Sequence, residues 1–201
     1  FHCDVTTKLK EGSNDIVVLL ENREQSSRWY PGAGLYRKVR HITQPQVHVP
    51  VWGTYVTTPH IGKEHAVVSV RTKIEGVEKG SAVTLKTRIL DAGGHAVACV
   101  TDTRLLHFGE IEQTLTVENP TLWSPEDPVM YFVETEVYTG GSVDTDWDID
   151  RPEISIADGT VPCDKVSTRF GFRTIEIIPD KGFFLNGEAR KFRGVCLHHD
   201  L

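Results

Sequence analysis

The sequence predicts an all-β protein whose main part is an antiparallel β-sandwich of immunoglobulin type. From about Pro50 to Thr174, apolar and polar side chains alternate with a period of two, as they do along half-buried strands. Turn-forming residues interrupt the alternation at regular intervals, and no stretch carries a convincing helical period. About seven short strands without a helix are typical of an immunoglobulin-like sandwich. The paired-cysteine signature of antibody domains is not evident.

Each predicted strand is bounded by turn signals. In the first, Ala66, Val68 and Val70 occupy one face, and the intervening positions are more polar. Asp91-Ala92-Gly93-Gly94 forms a hairpin turn between two later runs. The predicted strands lie at 66–74, 83–89, 95–104, 111–117, 130–138 and 166–176.

The first 49 residues predict two more strands separated by a loop. A short apolar strand at Ile16–Leu20 follows turn chemistry at Lys10–Asn14, and a further strand covers Leu35–Ile42. The loop between them contains Gly32-x-Gly34. We reject a phosphate-binding role for these glycines, because no helix-forming pattern follows them.

The last part of the sequence predicts two tight turns and a final apolar run. Pro179–Gly182 forms the first turn, and Asn186-Gly187 forms a type I′ hairpin turn because both residues readily adopt a positive φ. The apolar run Phe192–Leu197 then leads to His198-His199-Asp200. Polar residues at the end of an apolar strand usually serve a site that later parts of a polypeptide complete. We therefore expect this chain to be the front part of a larger enzyme.

The motifs of this region resemble those of glycoside hydrolase family 2, the β-galactosidase, β-glucuronidase and β-mannosidase family. FGFRTIEI at 170–177, GFFLNGE at 182–188 and KFRGVCLHHD at 191–200 carry the resemblance. Two earlier motifs agree with it in family order: SRWYPGAGLYR at 27–37 and LWSPEDPVMY at 122–131.

The resemblance implies three sections of a longer polypeptide. Residues 1–49 would be the C-terminal part of a jelly-roll sugar-binding domain, and residues 50–175 the immunoglobulin-like sandwich. Residues 176–201 would be the start of a catalytic (β/α)8 (TIM) barrel, with its first strand at 192–197.

The resemblance also implies a retaining exo-β-glycosidase, most similar to a β-galactosidase. Such enzymes need two carboxyl groups about 5 Å apart. The family's catalytic glutamates lie on later barrel strands, the acid/base after an asparagine, and this chain has no Asn-Glu dipeptide. We therefore expect no catalytic residue here and no hydrolysis by this chain alone.

The candidate substrate-binding residues are at the end of the sequence. His198 matches the histidine of the family pattern, and Asp200 matches a position whose side chain contacts the sugar in related enzymes; with His199 beside them, they are the residues that the resemblance implies for substrate binding. A carboxylate can accept paired hydrogen bonds from vicinal hydroxyls, and a neutral imidazole can donate or accept one. Cys196 and His199 depart from the family's Asn and Glu.

Composition excludes several other classes. A net charge of −6 with no basic stretch argues against nucleic-acid binding, and no apolar run is long enough to span a membrane.

The alternating Asp144, Asp146, Asp148 and Asp150 suggest calcium, but the EF-hand glycine and glutamate are absent, so we interpret the segment as a solvated acidic loop. We predict no metal or cofactor in this chain. The scattered cysteines are weak evidence for free thiols.

Two alternatives stay open at this point. The full-length enzyme could be a β-glucuronidase or β-mannosidase of the same family. The chain could instead be a non-catalytic carbohydrate-binding or adhesion sandwich using aromatic residues such as Trp29 or Trp52, whereas Trp123 reads as a packing anchor. We also expect self-association through residues 183–197, because strand edges there would lack neighbours.

Overall fold

The computed structural model describes residues 2–21, 23, 34–35, 37–139, 156 and 160–196. It contains two compact units. One consists of residues 44–191, and the other of residues 1–43 with 192–201. The first unit contains every strand among the described residues.

The larger unit is an antiparallel β-sandwich of seven strands in two sheets, as the sequence predicts. One sheet has the order β1-β2-β5 and the other the order β4-β3-β6-β7, and all strand pairs are antiparallel. The strands are β1 Thr54–Ile61, β2 His65–Lys73, β3 Ala82–Leu90, β4 Ala96–Leu105, β5 Glu110–Glu118, β6 Tyr131–Thr139 and β7 Asp164–Phe170.

The alternation in the sequence determines which face of each strand is buried. Along β5, Ile111, Gln113, Leu115 and Val117 are buried, and every residue between them is exposed. Successive side chains of a strand point to opposite faces, so one set enters the core and the other meets water. The predicted turn at Asp91–Gly94 closes β3 onto β4, with the amide of Asp91 donating to the carbonyl of His95 at 3.0 Å.

The core of the sandwich consists of two apolar clusters separated by a polar bridge. One cluster includes Val68, and the other includes Leu85. Between them, the hydroxyl of Thr87 donates to Gln113 Oε1 at 2.6 Å and lies 3.0 Å from the hydroxyl of Thr135. The amide nitrogen of Gln113 donates to the carbonyl of Leu85 at 3.2 Å. These bonds connect the two sheets and satisfy polar groups that would otherwise be costly to bury.

A three-stranded ribbon follows the sandwich within the same unit. It consists of β8 Ile175–Ile178, β9 Gly182–Leu185 and β10 Glu188–Arg190, in the order β10-β9-β8. Both turns are as predicted: Asn186 and Gly187 have φ values of 52° and 78°, and Asp180 has a φ of 63°. The type I′ turn thus closes β9 onto β10.

Four strand predictions need correction. The predicted strand 166–176 is two strands, because the chain leaves the sandwich sheet after Phe170 and re-pairs from Ile175. Ile16–Leu20 and the described residues of Leu35–Ile42 form no strand, and neither do residues 192–196. A strand needs a neighbouring strand for its backbone hydrogen bonds, and these segments have none among the described residues.

Strand β1 was not predicted from the sequence. This strand contains Pro59 and pairs with β2 through a bulge between Thr57 and His60. Proline and a bulge are tolerated on an edge strand such as β1, but they break the period of two that identified the other strands.

Candidate functional site

The residues predicted to contact sugar, His198, His199 and Asp200, lie outside the described residues, as do Trp29 and the aspartates at 144–150. The segment that precedes the histidines is described as far as Cys196. In it Phe192 and Val195 are exposed, with relative accessibilities of 77% and 93%. The sugar-contact assignment stays a prediction.

An open hollow of about 400 Å³ lies at one end of the sandwich, next to the ribbon. Strand β1, the segment before β6, the end of β7 and the start of β8 form its walls. Its lining combines aliphatic, aromatic and cationic side chains: Val56, Thr57, Thr58, Trp123, Met130, Arg169, Phe170, Gly171, Arg173 and Ile175.

Trp123 is fixed in the wall of this hollow by contacts on several sides. Its amide donates to the carbonyl of Phe172 at 2.8 Å, and its carbonyl accepts from the side-chain amide of Asn186 at 3.0 Å. A Cβ atom on Gly171 would lie 2.9 Å from the Trp123 Cβ, so this close approach requires glycine. The guanidinium of Arg173 lies over the ring, 5.1 Å from its centroid. The structure supports the predicted packing role of Trp123.

Asn186 connects the ribbon to the same place. Its Oδ1 accepts a hydrogen bond from the amide of Thr174 at 3.0 Å, while its Nδ2 donates to Trp123. On the other side of the ribbon, Arg190 Nη1 donates to Glu126 at 2.7 Å. The hairpin turn, the residue before β8 and strand β10 are therefore joined directly to one another or to the 123–126 loop.

Two neighbouring carboxylates lie elsewhere, on the solvent face of the four-stranded sheet. Glu134 and Glu136 both accept hydrogen bonds from Arg88, and Lys165 lies 3.0 and 3.4 Å from their oxygens. Their side chains are 16% and 12% exposed. Because one guanidinium nitrogen contacts both, the two groups are close enough to invite comparison with a glycosidase pair.

The electrostatics of this pair do not suit that reaction. Burial alone would raise the pKa of Glu136, but the hydrogen bond from Tyr138 and the charges of Arg88 and Lys165 outweigh it, so the pKa lies below its ordinary value. A general acid needs a raised pKa in order to carry a proton at neutral pH. Glu136 is therefore not suited to be a general acid, and both carboxylates form ion pairs with Arg88 and Lys165.

Histidines and cysteines form no ligand set in the described part of the chain. His60 and His65 stand on either side of the β1–β2 turn, with ring centroids 5.6 Å apart. No third ligand joins them, and the described residues contain no group of three His, Cys, Asp or Glu side chains suited to a metal ion. Cys3, Cys99, Cys163 and Cys196 are free thiols.

The hollow was not predicted from the sequence. The sequence places Arg169, Gly171 and Arg173 only in a predicted strand and a motif. The pattern Arg-x-Gly-x-Arg does not show that Trp123 packs against Gly171 and lies under the guanidinium of Arg173. The signal that was present is Gly171 between Phe170 and Phe172 in a predicted strand, because a glycine inside a strand pattern marks a close approach of another group.

Comparison with known proteins defines the class to which this sandwich belongs. The sequence model of the glycosyl hydrolases family 2 matches residues 47–148, which is half of the chain. The matched residues include most of the immunoglobulin-like sandwich described above. The chain belongs to glycosyl hydrolase family 2.

Several relatives support this assignment. The chain is 34% identical to β-galactosidase BoGH2A of Bacteroides ovatus over 100% of its own length and 22% of that protein. It is also 34% identical to a protein of Formosa agariphila described as a putative β-glucuronidase, over 98% of this chain and 17% of the relative. The chain thus spans about a fifth of the length of the curated relatives it matches.

Solved structures agree with the fold. A family 2 member from Bacteroides cellulosilyticus superimposes with a TM-score of 0.67 at 31% identity, covering 86% of this chain and 20% of that chain. A β-glycosidase from Bacteroides vulgatus gives the same TM-score at 27% identity. Among the described residues, no helix has the length and hydrophobicity needed to cross a bilayer.

Proposed function

We propose that this chain is a scaffold section of a retaining exo-β-glycosidase that hydrolyses terminal β-galactosides. The observation that carries the proposal is the 34% identity to a β-galactosidase along the whole of this chain, joined with the GVCLHHD motif at 194–200. In this proposal the sandwich supports a catalytic domain and does not itself perform hydrolysis. The substrate is a β-linked sugar.

The domain boundaries belong to the same proposal. Residues 1–49 are the end of a jelly-roll domain, residues 50–175 the sandwich, and residues 176–201 the entry to a catalytic barrel. The ribbon supports this view, because it connects the sandwich to the segment that carries His198 and Asp200. These two residues, with His199, would contact the sugar.

A β-glucuronidase is the second candidate, because the relative from Formosa agariphila is as similar as the β-galactosidase. A β-mannosidase and a non-catalytic carbohydrate-binding sandwich are further alternatives. The last would use an exposed aromatic residue, and Trp52 has a relative accessibility of 77%.

The deciding experiment measures hydrolysis of nitrophenyl β-galactoside, β-glucuronide and β-mannoside by this chain and by the full-length protein. We expect turnover of the β-galactoside by the full-length protein alone. Turnover of the glucuronide or mannoside instead would reassign the substrate. Turnover by this chain would contradict its role as a scaffold, and binding of a β-glycan by this chain that is lost in Trp52→Ala would favour the binding module.

Self-association through residues 183–197 is a separate proposal. Sedimentation velocity of this chain tests it: dimers that dissociate on dilution support it, and a monomer at all concentrations contradicts it.

A further inference from the structure

The two cations of the hollow differ from the other arginines of the sandwich and ribbon. Within residues 44–139 and 160–191, Arg169 and Arg173 form no ion pair with a described carboxylate, although both line the same hollow. The chain has 28 acidic and 22 basic residues, so carboxylates are not scarce. The other arginines of this region each have a carboxylate partner: Arg71, Arg88, Arg104 and Arg190.

An exposed aliphatic strip continues from the hollow along the ribbon. Ile175 lines the hollow and is 55% exposed, and Ile177, two residues further on the same face of β8, is 80% exposed. Strand β8 is also an edge of its sheet, with β9 on one side only. Exposed apolar side chains beside an unpaired strand edge mark a surface that other polypeptide can cover.

The chemistry of the surface favours polypeptide over carbohydrate. Sugars are usually held by an open aromatic face with a dense set of hydrogen-bonding groups around it. Here the guanidinium of Arg173 covers the ring of Trp123, and the remaining wall is mixed, with Val56, Met130 and Ile175 beside Thr57 and Thr58. A polypeptide surface can supply carboxylates for the arginines and apolar side chains for the strip at the same time.

We propose that the hollow and the strip, defined by Arg169, Arg173, Ile175 and Ile177, dock a surface of the same full-length protein that carries carboxylate and aliphatic side chains. The inference rests on the proposed function, which makes this chain one section of a longer glycosidase. The chain spans about a fifth of the length of its relatives, which agrees with that function. The docked surface holds the two guanidinium groups by ion pairs and covers the edge of β8.

Chemical modification of arginine tests the proposal. This chain and the full-length protein are treated with phenylglyoxal, and the rate at each arginine is followed by peptide mass spectrometry. We expect Arg169 and Arg173 to react readily in this chain and at least about tenfold more slowly in the full-length protein. Arg71, which lies in the opposite sheet with its side chain 45% exposed, is the internal control and should react at similar rates in both.

Charge reversal gives an independent measurement. The variant R169E should lower the midpoint of thermal unfolding of the full-length protein by several degrees and leave that of this chain nearly unchanged, because Arg169 forms no ion pair with a described carboxylate. R71E serves as the matched control and should shift the midpoint of both forms equally. Equal phenylglyoxal rates in the two forms, or equal effects of R169E on them, would overturn the proposal.

Two other results would also overturn it by assigning the surface differently. Protection of Arg169 and Arg173 in this chain by a uronic-acid oligosaccharide, with none in the full-length protein, would identify a sugar site. Protection that appears in this chain when its concentration is raised would identify a second copy as the partner. Hydrolysis of the nitrophenyl glycosides is measured separately, so failure of the docking surface and failure of the proposed function are distinguishable.

Discussion

Two groups of cations near strand β7 show opposite arrangements. On the solvent face of the four-stranded sheet, Arg88 and Lys165 are both paired with Glu134 and Glu136. At the hollow, at the other end of β7, Arg169 and Arg173 have no carboxylate partner among the described residues. The first group is electrostatically complete within the sandwich. The second has its counterpart elsewhere, which is why it indicates an interface.

The largest effect is expected from Arg88→Met in this chain. The substitution leaves the two mostly buried carboxylates with one neighbouring cation, Lys165, and the hydrogen bond from Tyr138 to Glu136. Removing one partner of a buried ion pair is strongly destabilising. The Arg88 side chain is 30% exposed, and its Nε is buried without a hydrogen-bond partner among the described residues, so the loss is moderated. We expect the free energy of unfolding, measured with urea, to fall by about 2 kcal/mol.

Arg71→Met is the control for this variant. The Arg71–Glu110 pair is 3.7 Å long with both side chains about half exposed, and the Arg71 guanidinium also lies 4.8 Å from the centroid of the Tyr55 ring. The loss of both contacts should cost about 1 kcal/mol or less. If the two variants were equally stable, the ion pairs of the sheet face would contribute no more than an ordinary surface pair, and the contrast with the hollow would disappear.

A smaller, local effect is expected from Asn186→Gly. Glycine tolerates the φ of 52° at this turn, so the variant removes the two side-chain hydrogen bonds to Thr174 and Trp123 without adding backbone strain. The expected loss is about 1–2 kcal/mol, confined to the ribbon. Hydrogen exchange should therefore accelerate for the ribbon amides and stay unchanged in the sandwich.

Asp180→Gly is the matched substitution at the other turn of the ribbon. Asp180 also has a positive φ, of 63°, but its side chain makes no hydrogen bond to a described residue. Its replacement should leave exchange unchanged or slow it slightly. Equal acceleration in both variants would show that glycine itself loosens the ribbon, and that Asn186 does not join it to Trp123.

Titration of Glu136 gives a second test of the paired group. Because its folded-state pKa lies below its ordinary value of 4.5, the folded state binds fewer protons than the unfolded state in this range. The stability contributed by the ionised group is therefore present above about pH 4.5 and is lost as the pH falls through the folded-state pKa. Urea unfolding of this chain and of Glu136→Gln between pH 7 and pH 3 measures it. The advantage of the unsubstituted chain should shrink on acidification, and a constant difference would contradict the assignment.

The sequence predicted the sandwich well because its signals are local. Alternation along β2, β3 and β5 and the turns at Asp91–Gly94 and Asn186-Gly187 each depend on residues close together in the chain. The hollow could not be predicted, because it depends on Trp123 meeting Gly171 and Arg173 across about 50 residues of intervening sequence. The predicted strand at Ile16–Leu20 was wrong for the same reason, because an apolar run forms a strand only when a partner strand is present.

The smallest effects are expected at the hollow in this chain. Arg169→Gln removes no ion pair to a described carboxylate, so the free energy of unfolding should change by less than about 0.5 kcal/mol. Arg173→Gln loses the contact with the Trp123 ring, worth about 0.5–1 kcal/mol at an exposed site. Urea unfolding followed by tryptophan fluorescence measures both. A loss at Arg169 as large as that of Arg88→Met would mean that this guanidinium already has a counterpart inside the chain. The distinction between the two groups of cations would then fail, and the hollow would be one more self-contained part of the sandwich.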